Sequence, residues 1–208
     1  MRYPLSLYLK SVVCTAMFHI RRIDCSLVAC EGRLPSLYGK GEVTIGKRFV
    51  VRGRILPCEL GAATSEARLR IGDRVFINQG ASVVAYYDIE VGDDTLIGEF
   101  ATLYDTNHHS VDVDHPTKYG PIVIGSNVWI GRDVVVLPGS TIGDHTIVAA
   151  GSIVKGDLPP RVLASGNPAR PVRELNIPDG WLRNLNSGRD IQAGFSARSA
   201  HKPSDISN

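Results

Sequence analysis

The chain has 208 residues, of which 43% are apolar and 21% charged, and this composition suits one globular domain with a full core. Its 23 basic residues nearly balance its 21 acidic residues, so the charge does not predict a nucleic-acid partner. No stretch approaches the roughly 20 apolar residues that a membrane-spanning helix needs, and the sequence predicts no integral membrane segment.

The first 42 residues show no regular repeat, and we expect them to form an N-terminal cap that is either helical or extended. Lys10 interrupts the apolar residues at the start, and no A-x-A cleavage signal precedes Arg21 and Arg22, so we predict no signal peptide. The expected location is cytoplasmic, with residues 3–20 resting on a membrane surface as the alternative. The chain has no C-x-x-C pair, so we expect free core thiols at its four cysteines, Cys14, Cys25, Cys30 and Cys58.

A six-residue period dominates the next part of the chain. It begins weakly at Ile45 and Val51 and is broken over residues 53–70. It then recurs in three runs, which are Ile71, Ile77 and Val83, then Val91, Ile97 and Leu103, and finally Ile124, Ile130, Val136, Ile142, Val148 and Val154. A helix would repeat near every 3.6 residues and a half-buried strand near every two, so neither explains the pattern. Short strands joined by sharp corners do explain it, with three sides making a coil of about 18 residues. We therefore predict an all-β solenoid over residues 43–160.

The end of the solenoid is marked by Pro159 and Pro160, which remove two backbone donors from the ladder. We expect residues 161–185 to be a C-terminal loop, irregular up to residue 175 and carrying a short helix near residues 180–184. The polar stretch 186–208 is expected to be disordered.

The clearest interruption of the repeat covers residues 104–121 and reads YDTNHHSVDVDHPTKYGP. Leu103 and Ile124 are 21 residues apart, three more than one coil, so we expect this stretch to project as a loop. Three of the six histidines lie in it, at positions 108, 109 and 115. Insertions in a repeat fold often carry the binding face, so the loop is the predicted site.

Three segments resemble the hexapeptide-repeat acetyltransferases, the family that contains galactoside, maltose and serine acetyltransferases and many polysaccharide O-acetyltransferases. They are LYDTNHH before the loop, IVIGSNVWIGRDVVVLPGSTIG after it, and AAGSIVKGDLPP followed by ASGNPARPVREL. The resemblance covers about residues 71–175. It implies a left-handed parallel β-helix, a homotrimer with active sites between subunits, and acetyl-CoA as the donor, with no metal. The N-terminal motif of the maltose and galactoside subgroup is not recognisable, which favours the polysaccharide or cell-envelope O-acetyltransferases.

The resemblance implies that His108 is the catalytic residue. Acyl transfer to an alcohol needs a base to take the hydroxyl proton, and histidine suits this because its unperturbed pKa of about 6.5 is near working pH. The family transfers the acyl group directly, so no serine or cysteine nucleophile is implied. His109 and His115 are expected to be structural.

Candidate acceptor-binding residues follow from the same resemblance. Asn78 matches the family asparagine that binds the acceptor sugar, although a corner asparagine would look the same. Tyr86 stands where sugar-acetylating members carry an acceptor-binding aspartate. Asp105, Glu99 and Asp88 are candidates to orient His108 or to bind the acceptor.

The expected acetyl-CoA slot runs along the coils towards the C-terminal loop. The GNPAR loop resembles the family's loop at the adenine end of the cofactor, which implies that its arginines hold the phosphates, and the planar fork of arginine matches phosphate oxygens. The residues that the resemblance implies for the cofactor are Trp129, Gly131, Ala150, Ser152, Lys155, Arg170 and Arg173.

The favoured prediction is an acetyl-CoA-dependent O-acetyltransferase acting on a sugar or a polysaccharide precursor. N-acetylation of an amino sugar or sugar nucleotide uses the same fold and donor and is the alternative. A γ-class carbonic anhydrase is disfavoured, because its zinc needs a histidine on an earlier coil and residues 71–101 contain none. A non-enzymatic solenoid scaffold would not need His108 and the GNPAR loop together.

Overall fold

A computed structural model describes residues 5–183, which form one helix and a three-sided solenoid of twenty short strands. Sheet A contains β1 (Asp24–Cys25), β4 (Glu42–Ile45), β7 (Arg68–Ile71), β10 (Asp88–Val91), β13 (Ile122–Ile124) and β16 (Thr141–Ile142). Sheet B contains β2 (Ala29–Gly32), β5 (Val50–Gly53), β8 (Phe76–Ile77), β11 (Leu96–Ile97), β14 (Trp129–Ile130), β17 (Ile147–Val148), β19 (Val162–Gly166) and β20 (Ala169–Glu174). Sheet C contains β3 (Ser36–Gly39), β6 (Glu59–Ala62), β9 (Ser82–Ala85), β12 (Thr102–Tyr104), β15 (Val135–Val136) and β18 (Ile153–Val154). Each turn of the chain adds one strand to each sheet, which confirms the predicted parallel solenoid.

The core is built from rows of aliphatic side chains that stack along each sheet. On sheet A the row consists of Ile45, Ile71, Val91, Ile124 and Ile142, which are partners on successive strands. No more than 5% of any of these side chains is exposed. Full burial of such a side chain stabilises the fold by about 1.5–3 kcal/mol, so each further coil adds to the stability of its neighbours.

The β-helix begins earlier than the sequence indicates. Strands β1 to β3 lie within residues 1–42, which were predicted to form a cap, and β6 lies within the apparent break over residues 53–70. The early coils are hidden because cysteine replaces an aliphatic residue at inward positions. Cys25 is the partner of Ile45, and Cys30 is the partner of Val51.

The first coil is covered by helix α1 (Leu5–Ile20). The backbone N–H of Val28 donates to the Thr15 hydroxyl at 2.9 Å, and that of Cys30 donates to the Ser11 hydroxyl at 3.1 Å. Both donors belong to the first chain segment of sheet B, so the helix supplies acceptors where no earlier coil exists. This capping prevents a free sheet edge from pairing with another chain. No helix in the described residues is long and apolar enough to cross a bilayer.

The loop after β12 is a larger insertion than the sequence suggested. Val91 and Ile124 are partners on neighbouring strands of sheet A although 33 residues separate them in sequence. Ile124 and Ile142 are also partners and are only 18 residues apart. The coil that contains residues 104–121 is therefore 15 residues longer than the next one, not three, because Leu103 and Ile124 lie on consecutive sides of the coil.

The C-terminal part differs from the prediction in two respects. Residues 162–174, expected to be irregular, form an antiparallel hairpin whose first strand joins sheet B through Leu163 beside Ile147. The hairpin closes the last edge of that sheet, which explains why the chain returns to it after the two prolines. The helix expected near residues 180–184 is absent from 180–183, where Asp179 and Gly180 form a turn instead. Asn184 and the predicted tail over 186–208 lie outside the described residues.

Candidate active site

Three aromatic rings meet at the edge between sheets C and A. The His108 imidazole lies 4.6 Å from the Tyr86 ring and 5.4 Å from the Tyr104 ring, measured between centroids, and both contacts are edge-on. Tyr86 follows β9, whereas Tyr104 ends β12 and His108 follows it, so two successive coils supply the cluster. Such contacts restrict the imidazole without using its nitrogen atoms.

The backbone at His108 is held by the base of the loop. His108 has a φ of 60°, and its N–H donates to the Thr106 hydroxyl at 3.1 Å. Across the loop, Thr106 forms an antiparallel bridge with Tyr119. The Lys118 N–H also donates to the Asn107 amide oxygen at 2.8 Å. The two ends of the insertion therefore clamp the segment that presents His108, whose side chain is exposed in the single chain.

Asp105 does not contact the His108 ring. Its carboxylate is fully buried and accepts three backbone N–H groups, from Tyr86 at 2.8 Å, from Tyr87 at 2.7 Å and from Asp88 at 2.6 Å. Asp105 was predicted to bind the acceptor or to orient His108. In the structure it fixes the corner that carries Tyr86, and thereby acts on the cluster through that ring.

The other acidic candidates are paired elsewhere. Glu99 accepts from Arg132 at 2.8 Å, and Asp88 lies 3.1 Å from Arg70. Within residues 5–183 no carboxylate is hydrogen-bonded or ion-paired to His108. His115, expected to be structural, pairs with Asp112 at 2.6 Å on the exposed part of the loop. Among the same residues, no three His, Cys, Asp or Glu side chains are grouped so as to hold a metal ion.

Asn78 lies at a different edge of the protomer from His108. It follows β8, at the corner between sheets B and C, where its amide oxygen accepts the Gln79 N–H at 2.9 Å. Its backbone carbonyl accepts the Cys58 thiol at 3.0 Å. One chain therefore does not bring Asn78 and His108 together, although the resemblance implies that both serve one active site.

The corner column above Asn78 contains three of the predicted cofactor residues. A Cβ on Gly131 would lie 2.7 Å from the backbone nitrogen of Ala150, so the close stacking of coils requires glycine there. Ala150 is exposed at this corner. Ser152 is 1% exposed, and its hydroxyl accepts the Gly166 N–H at 3.1 Å, so it anchors the C-terminal hairpin.

Two clefts flank these edges. One, of about 570 Å³, lies between the loop and the corner after β15, and includes Asn107, His115, Lys118, Pro138 and Lys155. It brings the predicted cofactor residue Lys155 to the loop that carries His108. The structure thus groups Lys155 with the histidine loop, at the edge between sheets C and A.

The second cleft, of about 560 Å³, lies beside sheet B and includes Trp129 and Arg173 together with Trp181 and Arg183. Trp181 and Arg183 were not predicted as site residues, because they lie beyond the last matching motif. Arg183 donates to the His145 carbonyl at 2.9 Å, and burial lowers the pKa of its guanidinium. Arg170, on β20, is exposed and donates to the Ala169 carbonyl at 3.0 Å.

Sequence comparisons connect this arrangement to known proteins. Residues 121–156 match the bacterial transferase hexapeptide (six repeats) family. The galactoside O-acetyltransferase of Escherichia coli (strain K12) is 41% identical over 116 residues, which cover 54% of this chain and 57% of that protein. A probable acetyltransferase of Mycobacterium tuberculosis is 34% identical over 135 residues, covering 62% of this chain and 44% of that one. The chain thus spans about half the length of the curated relatives it matches.

Structure comparisons agree with the sequence matches. A hexapeptide-repeat-containing acetyltransferase from Vibrio cholerae is 38% identical with a TM-score of 0.55, over 64% of this chain and 73% of that one. A structure of that protein with acetyl-CoA aligns over 78% of both chains at 27% identity, with a TM-score of 0.52. An N-acyltransferase from Bacillus cereus is 19% identical with a TM-score of 0.63, over 88% of this chain and 96% of that one, which supports the fold alone.

Proposed function

Because this chain belongs to the hexapeptide-repeat acetyltransferase family, whose members fold as left-handed parallel β-helices, we propose that it transfers an acetyl group from acetyl-CoA to a hydroxyl. The proposed acceptor is a sugar or a polysaccharide precursor, and the proposed location is the cytoplasm. The observation that carries the proposal is the exposed imidazole of His108, held edge-on by Tyr86 and Tyr104 within the LYDTNHH motif.

In the proposed reaction His108 takes the proton of the acceptor hydroxyl as that oxygen attacks the thioester carbonyl. The carbon–sulfur bond then breaks, and the imidazolium returns the proton to the departing thiolate of CoA. Tyr86 and Tyr104 position the imidazole, and Asp105 fixes the corner that carries Tyr86. Every proton in this scheme is accounted for without a covalent enzyme intermediate.

The active site is proposed to form between subunits of a homotrimer. Asn78 and the column of Gly131 and Ala150 lie at the corner between sheets B and C, whereas His108 lies at the corner between sheets C and A. A neighbouring copy that presents one edge to the other would complete the site. The proposed ligands of acetyl-CoA are Trp129, Gly131, Ala150, Lys155, Arg170 and Arg173, while Ser152 supports the hairpin from within.

The donor half of the proposal is tested by calorimetric titration of the purified protein with CoA and with dephospho-CoA, which lacks the 3′-phosphate. We expect saturable binding of CoA that is weaker for dephospho-CoA. Arg170→Ala and Arg173→Ala should lower the affinity for CoA, and the variant that loses the preference identifies the 3′-phosphate ligand. Arg68→Ala, an exposed arginine outside the proposed site, serves as the control. Absence of CoA binding would contradict the donor assignment.

The acceptor half requires a screen of hydroxyl and amine acceptors with acetyl-CoA. Acetylation of sugar hydroxyls supports the proposal, and exclusive acetylation of amino sugars or sugar nucleotides would replace it with N-acetyl transfer. Tyr86 is the reason to include both classes, because it occupies the position where sugar-acetylating relatives carry aspartate.

A further inference from the structure

Helix α1 (Leu5–Ile20) buries one face and exposes a second face that is largely apolar. Ser11, Cys14 and Phe18 form the inner stripe and are at least 95% buried. On the opposite side, between 42% and 81% of each side chain is exposed at Tyr8, Leu9, Val12, Val13 and Ile20. Lys10 is the one Lys, Arg, Asp or Glu within the helix.

The orientation of α1 is fixed by its capping bonds. The hydroxyls of Ser11 and Thr15 accept backbone N–H groups of the first coil, so the inner stripe faces the end of the solenoid. The outer stripe therefore faces away from the coils. A contiguous exposed apolar surface of this kind marks an interaction site in a soluble fold.

Basic side chains border the same surface. A cleft of about 800 Å³ beside the helix is lined by Leu9, Lys10, Val13, Arg33, Leu34 and Arg54, among others. The nearby acid Glu31 pairs closely with Arg52, at 2.7 Å, and its contact with Arg54 is longer, at 3.8 Å. The Arg54 side chain is 69% exposed. Ile55 and Leu56, which follow Arg54, are also exposed. Apolar side chains and an excess of positive charge thus occur together at this end of the protein.

We propose that this surface binds an anionic lipid bilayer, with α1 lying in the plane of the interface. The outer stripe would enter the boundary of the acyl chains, and Lys10, Arg33 and Arg54 would lie among the lipid phosphates. Sixteen residues of helix reach about 24 Å, less than the roughly 30 Å of a bilayer core, so α1 rests on the membrane. The surface lies at the opposite end of the coils from the C-terminal hairpin and is independent of the proposed transferase chemistry.

The experiment is co-sedimentation of the full-length protein with vesicles of phosphatidylcholine, and with vesicles that also contain phosphatidylglycerol. We expect partitioning onto the anionic vesicles that weakens as salt is raised. Leu9→Ser with Val13→Ser should lower the partition coefficient by about tenfold or more, because two apolar side chains no longer enter the interface. Val111→Ser with Val113→Ser, two exposed valines of the histidine loop, is the matched control and should not change it.

Arg33→Gln and Arg54→Gln should each lower anionic partitioning about fivefold, since a cation near such a surface contributes about that factor. Arg68→Gln, which lies outside the patch, should leave it unchanged. Light scattering of each variant without lipid shows whether its oligomeric state is retained. Equal binding of wild type and the Leu9→Ser, Val13→Ser variant would overturn the proposal. The proposal would also be overturned if the wild type fails to bind vesicles and forms larger assemblies that the Leu9→Ser, Val13→Ser variant disperses. In that case the outer stripe would join two copies of the protein.

Discussion

The Tyr86 ring stands edge-on to the imidazole of His108, with centroids 4.6 Å apart and planes inclined by 87°. Because Tyr86 belongs to the preceding coil, the geometry of the proposed base depends on the stacking of two coils and on the Asp105 carboxylate that fixes the corner between them. The proposed chemistry and the stability of the solenoid are therefore connected through a few residues that can be changed one at a time.

His108→Asn should lower turnover by about a hundredfold or more while the fold and the oligomeric state are retained, because the acceptor hydroxyl loses its general base. The measurement is the steady-state rate of CoA release with saturating acceptor. His115→Asn is the matched control, since it removes a histidine of the same loop that pairs with Asp112 instead. If the two variants lose activity equally, the assignment of the base to His108 does not hold.

Substitutions of Tyr86 separate positioning of His108 from binding of the acceptor. Tyr86→Phe keeps the edge-on ring and should retain kcat, whereas Tyr86→Ala should lower kcat up to about tenfold, as expected from the loss of an aromatic contact. The measurement is the split between kcat and KM for the acceptor. A rise in KM alone, in both variants, would instead assign the Tyr86 hydroxyl to the acceptor and contradict the positioning role.

Asp105→Asn should destabilise the protein by about 3 kcal/mol, because a buried amide cannot replace a carboxylate that accepts three backbone N–H groups. Urea unfolding followed by circular dichroism measures the loss. Asp112→Asn, in the exposed loop, removes the same charge and should change stability by less than about 0.5 kcal/mol. We also expect lower kcat in Asp105→Asn, and wild-type stability of this variant would contradict the proposed clamp.

The sequence predicts the solenoid wherever aliphatic residues keep the six-residue spacing. It fails in the early coils, because Cys25 and Cys30 fill inward positions that the pattern assigns to aliphatic residues. A thiol packs as a small apolar group, so the backbone accepts it although the periodicity is lost. The predicted length of the loop insertion was also wrong, since spacing alone does not reveal which side of the coil each aliphatic residue occupies.

The candidate site was predictable only in part for a similar reason. The LYDTNHH motif points to His108, but the partners of Asp105 are backbone groups 17 to 19 residues earlier, which carry no signature in the side-chain sequence. Trp181 and Arg183 were missed because they join Trp129 only through the path of the chain after the hairpin. Contacts between coils decide these positions, and a single sequence does not display them.

Ile130→Asp tests the orientation of the coils. The Ile130 side chain is fully buried in the row of sheet B, so an aspartate there would cost several kcal/mol and prevent folding. Val123→Asp, on the preceding strand, places the same side chain at a position that is 39% exposed and should be tolerated. The measurement is the yield of soluble protein and its thermal unfolding. A stable Ile130→Asp protein would be incompatible with the inward row.

The Cys58 thiol gives a dependence on pH. Burial raises its pKa from 9.0 to about 12, so the folded state favours the neutral thiol more than the unfolded chain does. This contribution to stability is therefore complete below pH 9 and is lost as the pH rises towards 12.

Because only the thiolate reacts readily, iodoacetamide should leave Cys58 unmodified in the folded protein at neutral pH and label it once urea unfolds the chain. Mass spectrometry of the labelled peptides makes the measurement. Cys58→Ser is the companion variant, because it keeps a small polar side chain but removes the titration, and its stability should fall less between pH 9 and 12 than that of the wild type. Rapid labelling of Cys58 in the native protein at neutral pH would show that the first coils open, and would contradict the tight inner packing of this corner.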